Sequence, residues 1–215
     1  GDAGPGGAGG PGPLAGGKAR YCTLCRCVKP PFTHHCTVCR RCVLRMDHHC
    51  PWMANCVGHR NYRYFFLFVF WLWTGAAYAA LFAGQPIYHI YTSHTRYVTS
   101  DGSALTRRDA QLATYTFALA FSVFLALSIL LSWHVFLTVT GQSTIDFHTL
   151  RDLRREARKR GHAFVNVYDY GARQNWQETF DERGAFWWVM WAVPRTRPHS
   201  GTGVRMPRSR AKHRR

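Results

Sequence analysis

Residues 45–59 read "RMDHHCPWMANCVGH". Two adjacent histidines follow an aspartate and precede a cysteine, and a second cysteine follows six residues on. The surrounding sequence decides how this stretch is to be read. All eight cysteines fall between Cys22 and Cys56, and the rest of the 215-residue chain has none. Tight C-x-x-C steps with interleaved histidines point to zinc rather than to disulfides. A zinc segment belongs in a reducing compartment, which places it on the cytosolic side.

The donors run Cys22, Cys25, His35, Cys36, Cys39, Cys42, His49, Cys50 and Cys56, with Cys27 between the first pairs. Structural zinc takes four N/S ligands in a tetrahedron, commonly three Cys and one His. His35, His49 and six cysteines fill two such sites if Cys27 and Cys50 are set aside. Spacing alone leaves open which cysteines share which ion. In an extended strand His48 and Cys50 project to one side and His49 to the other. One histidine then faces metal while the other faces a thiol, and Asp47 can fix the tautomer of His48. This is the nucleophile, base and orienter arrangement of a Cys-His-Asp site.

Two stretches are almost free of charge. No Asp, Glu, Lys or Arg occurs from Tyr64 to Thr95, nor from Ala110 to Ile145. Each exceeds the roughly 20 apolar residues that cross a bilayer as a helix. The formal net charge is +17, carried largely by the flanks. The connector 96–109 balances Arg96, Arg107 and Arg108 against Asp101 and Asp109. The positive-inside rule therefore puts the cysteine segment and the C-terminal region in the cytosol and the connector opposite. Two long spans argue against a zinc-finger nucleic-acid binder, so no nucleic-acid partner is expected.

The expected fold is a membrane protein, mainly α, with transmembrane helices, a cytosolic cysteine-rich domain binding two zinc ions and a cytosolic C-terminal tail. The divisions are a disordered Gly/Pro-rich lead-in at 1–19, the zinc domain at 20–63, and a transmembrane helix at 64–92. A non-cytosolic loop follows at 93–111, then a second transmembrane helix at 112–140 and the C-terminal region at 141–215. Within that last region "TLRDLRREARKRG" reads as a basic helix ending at Gly161, suited to anionic lipid at the inner leaflet. "AFWWVMWAVP" reads as an aromatic segment for the membrane surface or for packing on the zinc domain.

Asp47-His48-His49-Cys50 followed by "PWMANCVGHRNY" resembles the cysteine-rich domain of the DHHC-type protein S-acyltransferases, the palmitoyltransferases, over residues 22–63. The resemblance implies one zinc set of Cys22, Cys25, His35 and Cys42 and another of Cys36, Cys39, His49 and Cys56. It implies catalysis by Asp47, His48 and Cys50, with Cys27 outside either set. "GQSTIDFH" resembles the family's Thr-Thr-x-Glu motif through Ser143, Thr144 and Asp146, which lies beneath the catalytic aspartate. "YDYGARQNWQETF" resembles its C-terminal structural motif, with Asn175 at the key position.

The implied reaction moves a palmitoyl-type chain from acyl-CoA to cysteines of membrane-proximal protein substrates through an acyl-Cys50 intermediate. Arg60, Arg63 and Lys29 are candidates by placement for the CoA phosphates. The implied setting is a multi-pass protein of an endomembrane (Golgi or ER) or of the plasma membrane. The family ordinarily carries two further spans ahead of the cysteine-rich domain, which these residues do not include. The alternative expectation is therefore a catalytically inactive membrane adaptor, or a fragment, that keeps the zinc domain.

Overall fold

Among the described residues three short antiparallel hairpins come first. The computed structural model describes residues 20–30, 32–92, 102, 106–164, 166 and 169–196. The lead-in expected at 1–19, most of the loop at 93–111 and the tail beyond residue 196 lie outside the described residues. The hairpins are β1 (Arg20–Cys22) with β2 (Cys27–Lys29), β3 (His34–Cys36) with β4 (Arg41–Val43), and β5 (His48–Cys50) with β6 (Asn55–Val57). Five helices follow among the described residues: α1 (Tyr62–Thr92), α2 (Arg107–Val139), α3 (Thr144–Lys159), α4 (Ala172–Phe180) and α5 (Trp187–Met190).

The hairpins repeat one design every 14 residues. Cys22 pairs with Cys27, Cys36 with Arg41 and Cys50 with Asn55, each across a loop of the same length. Each loop ends on a left-handed residue, Arg26, Arg40 or Ala54, with φ of 51°, 52° and 48°. Their tips present Leu24, Val38 and Trp52 to solvent. The repeat thus aligns Cys22, Cys36 and Cys50, then Cys25, Cys39 and Met53, then Val28, Cys42 and Cys56. Strands of three residues cannot bury a core of their own. Cross-linking by shared ligands is the remaining way to hold such pieces together.

The chain divides into two units, one of residues up to Phe65 together with those from Phe136 onward, the other Phe66–Val135. In the second unit, α1 and α2 run antiparallel. The Trp73 indole donates to Ser128 Oγ at 2.8 Å and stacks on Phe124 at 5.5 Å. Leu81, Phe82, Tyr115 and Ile129 stay exposed, which suits helices solvated by lipid tails rather than water. Both helices are long and apolar enough to cross a membrane. At 1.5 Å per residue their 31 and 33 residues exceed the ~30 Å hydrocarbon core. Helix α2 begins at Arg107. Thr106 and Asp109 explain this. The Thr106 N–H donates to Asp109 Oδ2 at 3.0 Å and the Asp109 N–H to Thr106 Oγ1 at 3.2 Å, a capping box.

In the first unit, α3 starts on Ser143 with a second capping box. Asp146 N–H donates to Ser143 Oγ, and Ser143 N–H to Asp146 Oδ2, both at 3.1 Å. At the other end Gly161 adopts φ 70°, a conformation that glycine reaches without strain, and turns the chain back. The aromatic segment packs on α4: Trp191 lies 5.1 Å from Trp176 and 5.2 Å from Phe180. Phe186 and Trp188 remain exposed.

Candidate functional site

The hairpins gather two groups of four ligands, Cys22, Cys25, His35 and Cys42, and Cys36, Cys39, His49 and Cys56. Within each group the ligand atoms all lie within 4.8 Å of one another. The rule of assembly is simple. Each group takes its C-x-x-C from one hairpin and a cross-strand His–Cys pair from the next, His35 opposite Cys42 and His49 opposite Cys56.

The geometry fits zinc. Bonds of 2.3 Å to sulfur and 2.0–2.1 Å to nitrogen make a tetrahedral S···N edge of about 3.6 Å. His35 Nδ1 stands 3.5, 3.2 and 4.0 Å from Cys22, Cys25 and Cys42 Sγ. His49 Nδ1 stands 3.7, 3.4 and 3.7 Å from Cys36, Cys39 and Cys56 Sγ. The electrostatics agree. In each C-x-x-C turn a backbone N–H, of Cys25 or Cys39, points at the first sulfur and lowers the pKa of Cys22 and Cys36. The last cysteine of each group is pushed up to about 12, first by burial and then by its neighbouring sulfurs. Three such thiols go anionic together only around a cation, with the histidine as a neutral fourth ligand.

Cys50 stands outside both groups, and the repeat says why. It aligns with Cys22 and Cys36, but Met53 occupies the place of the second cysteine. Among the described residues no further hairpin brings a His–Cys pair, and the chain passes into α1 after β6. Cys50 is 5 % exposed and closes strand β5, which starts at His48. Alternation along the strand puts these two side chains on one side. Cys27 is exposed at the start of β2.

Asp47 is fully buried and donates its own N–H to the Val57 carbonyl. One carboxylate oxygen, Oδ2, lies 2.7 Å from His48 Nδ1. Thr144 at the first turn of α3 donates its N–H to Asp47 Oδ1 at 2.8 Å and its hydroxyl to Oδ2 at 3.0 Å. A helix N-terminus is a favourable seat for a carboxylate. With Nδ1–H donated to Asp47, Nε2 is the basic nitrogen of His48. Phe65 meets the imidazole edge-on at 5.0 Å and restrains its rotation.

The capping box of Ser143 and Asp146 fixes the turn that presents Thr144 to Asp47. Burial holds the Asp146 carboxyl above the usual carboxylate range, and the bonds from Ser143 oppose that rise. Asn175 is buried, and its side chain makes three bonds. Its amide donates to the Val139 carbonyl and to Asp169 Oδ1, both at 2.8 Å, and its oxygen accepts from Tyr170 N–H at 3.0 Å. It thereby satisfies one of the orphan carbonyls at the end of α2.

Arg63 does not fit the role of a phosphate ligand. It is 4 % exposed, with its guanidinium 3.7 Å from Asp181 and donating to the Tyr64 hydroxyl at 2.7 Å. Arg60 remains exposed and Lys29 half-buried. Sequence reasoning missed Asn61, which accepts from Gly58 N–H and donates to the Cys56 carbonyl, both at 2.9 Å. It ties β6 to the start of α1. The adjacent Gly58 is needed there, since a Cβ would meet the Leu44 carbonyl at 2.9 Å. The Gly-x-x-Asn spacing was the available signal.

A family model for the DHHC palmitoyltransferase matches residues 16–151. The chain is 36% identical over 190 residues to "Probable protein S-acyltransferase 16" of Arabidopsis thaliana, covering 88% of this chain and 62% of that protein. It is 35% identical over 187 residues to "Palmitoyltransferase ZDHHC16" of Mus musculus, covering 85% and 52%. The Homo sapiens protein of that name is 33% identical over 203 residues, covering 85% and 54%. The chain therefore spans little more than half the length of these relatives. With the family model covering well over half of its residues, this chain belongs to the DHHC palmitoyltransferase family.

Proposed function

We propose that this chain carries the acyl-transfer site of a membrane-embedded protein S-acyltransferase, with Cys50 as acyl carrier. The observation that carries this reading is the Asp47–His48 pair, 2.7 Å apart, on a strand ending in a thiol that belongs to neither metal group. In the first step Cys50 passes its proton to His48 Nε2 and attacks the thioester carbonyl of acyl-CoA. The carbon–sulfur bond to CoA breaks, and the leaving thiolate takes the proton from His48. In the second step a substrate cysteine gives its proton to His48 and accepts the acyl group. The acyl–Cys50 bond breaks and Cys50 recovers the proton. Asp47 holds one tautomer throughout and steadies the imidazolium.

In this reading two zinc ions, one per ligand group, lock the three hairpins together; both ligand sets are full, as in structural sites. Residues 20–63 form the zinc domain and face the cytosol together with 141–215. Residues 64–92 and 112–140 cross the membrane, with 93–111 on the far side. The acyl donor is a long-chain acyl-CoA, and the acceptors are proteins with membrane-proximal cysteines, in an endomembrane or the plasma membrane. Dissolved acyl chain costs ~0.8 kcal/mol per CH2, so a thiol near the bilayer suits this chemistry.

The test is to feed cells expressing the chain a clickable fatty acid. A hydroxylamine-labile label lost in Cys50→Ser and kept in Cys27→Ser is expected. A label that survives Cys50→Ser removes the acyl-Cys50 intermediate. An unlabelled chain with full metal content favours the inactive adaptor.

A further inference from the structure

Helix α3 segregates its charges. Arg151 lies three and four residues before Arg154 and Arg155, and Arg158 lies four and three after them, so the four share a face. Asp152 and Glu156 point away from that face, and Glu156 is taken up by Arg160. Among the described residues no carboxylate pairs with any of the four arginines. The face is also concave. Gly161 reverses the chain, with His162 N–H returning to the Ala157 carbonyl at 2.9 Å, and residues 161–164 come back alongside the helix. Phe164 ends 5.5 Å beneath the Arg154 guanidinium, a cation–π contact that holds this arginine in place. The result is a groove of about 710 Å³ lined by the four arginines together with Phe147, Leu150 and Phe164.

A row of surface arginines could serve only the inner-leaflet charge, but a diffuse field needs no groove. Here four arginines with no carboxylate partner among the described residues line a concavity of small-molecule size, and one of them is braced by an aromatic ring. Guanidinium forks match phosphate oxygens in pairs, which favours a ligand with several phosphates close together. We propose that this groove binds a compact polyphosphate of the inositol phosphate type, whether free or as the headgroup of an inner-leaflet lipid. The site is separate from Cys50 and requires nothing of acyl transfer.

The experiment uses the full chain in detergent micelles and a fluorescent inositol trisphosphate, followed by anisotropy. Arg151→Gln/Arg155→Gln is expected to weaken binding by roughly tenfold or more, since each lost guanidinium–phosphate pair is a charge-assisted bond. Phe164→Ala is expected to weaken it less, by releasing Arg154. The control Arg160→Gln/Arg183→Gln removes the same charge outside the groove and leaves affinity unchanged. Circular dichroism checks that the variants keep their helices. Reconstitution in nanodiscs then identifies the source. Loss of probe binding only when phosphoinositide is present assigns a lipid headgroup, and undiminished binding assigns a free polyphosphate. Equal weakening by the control pair, or unchanged affinity in Arg151→Gln/Arg155→Gln, overturns the proposal.

Discussion

Thr144 grips Asp47 with both its backbone N–H and its hydroxyl, at 2.8 and 3.0 Å, across 97 residues of sequence. The carboxylate thereby keeps one orientation toward His48. Hydrogen bonds to charged groups contribute ~1.5–3 kcal/mol each. Under the proposed chemistry, Thr144→Val keeps the shape and loses the hydroxyl, so single-turnover acylation should slow by roughly tenfold or more with little change in acyl-CoA affinity. Thr144→Ser restores the donor and should recover most of the rate. An unaltered rate in Thr144→Val would mean that the orientation of His48 does not limit transfer.

The ligand groups make a stoichiometric forecast. Cys50→Ala should keep the full metal content of the purified chain, because this sulfur belongs to neither group. Cys42→Ala should lose one ion per chain and Cys56→Ala the other. Elemental analysis of the three variants decides it, and loss of metal from Cys50→Ala would place residue 50 among the ligands.

The pH dependence of stability should carry a mark from Asp146. Burial raises its carboxyl above the unfolded value. A group raised on folding contributes stability that is complete below the unfolded pKa and is lost as pH rises through the folded one. Once ionised, the side chain is thus a cost set against its bond to Ser143 N–H. Asp146→Asn keeps an acceptor without the charge, so it should leave neutral-pH stability equal or higher and flatten the mildly acidic part of the profile. Asp146→Ala loses the cap side chain and should cost about 1 kcal/mol. Thermal unfolding across pH separates the two, and an Asn variant as unstable as Ala would refute the sign.

Asn175 should be among the most sensitive positions outside the hairpins. Asn175→Ala strands the Val139 carbonyl and Tyr170 N–H inside the protein and should cost roughly 2–4 kcal/mol. Asn175→Asp removes the donor and sets a second carboxylate against Asp169, so it should be at least as harmful. Thermal midpoints of the two variants give the comparison.

The parts legible in the sequence were those whose chemistry depends on residue type at short range. Cysteine and histidine spacing marked the donors, and charge-free runs marked α1 and α2. The Ser143–Asp146 motif was visible too, but only the fold shows that its capping box aims Thr144 at Asp47. What stayed hidden depends on pairing. Nothing in "NYRY" tells that Arg63 turns inward to Asp181, since the partner lies more than a hundred residues away. The groove of α3 was equally hidden, because a basic helix forms a concavity only once Gly161 folds the chain back. The 14-residue repeat was present in the sequence all along. It is easily missed because only Cys22, Cys36 and Cys50 are identical in residue type where Met53 and Val28 break the ligand pattern.

That repeat supplies the last prediction. Met53 occupies, in the third hairpin, the place held by Cys25 and Cys39 in the first two. The loops match in length and in their left-handed closing residue, so Met53→Cys should bring a second sulfur close to Cys50. A lone C-x-x-C pair has no His–Cys partner from a further hairpin and holds zinc poorly, but it forms a disulfide readily. The variant should therefore lose its Cys50 label under oxidising conditions and regain it with reductant, while both ligand groups keep their metal. Met53→Ala, which removes the same side chain without adding a thiol, should show no such redox dependence. If Met53→Cys labels equally well with and without reductant, the third hairpin does not share the geometry of the first two.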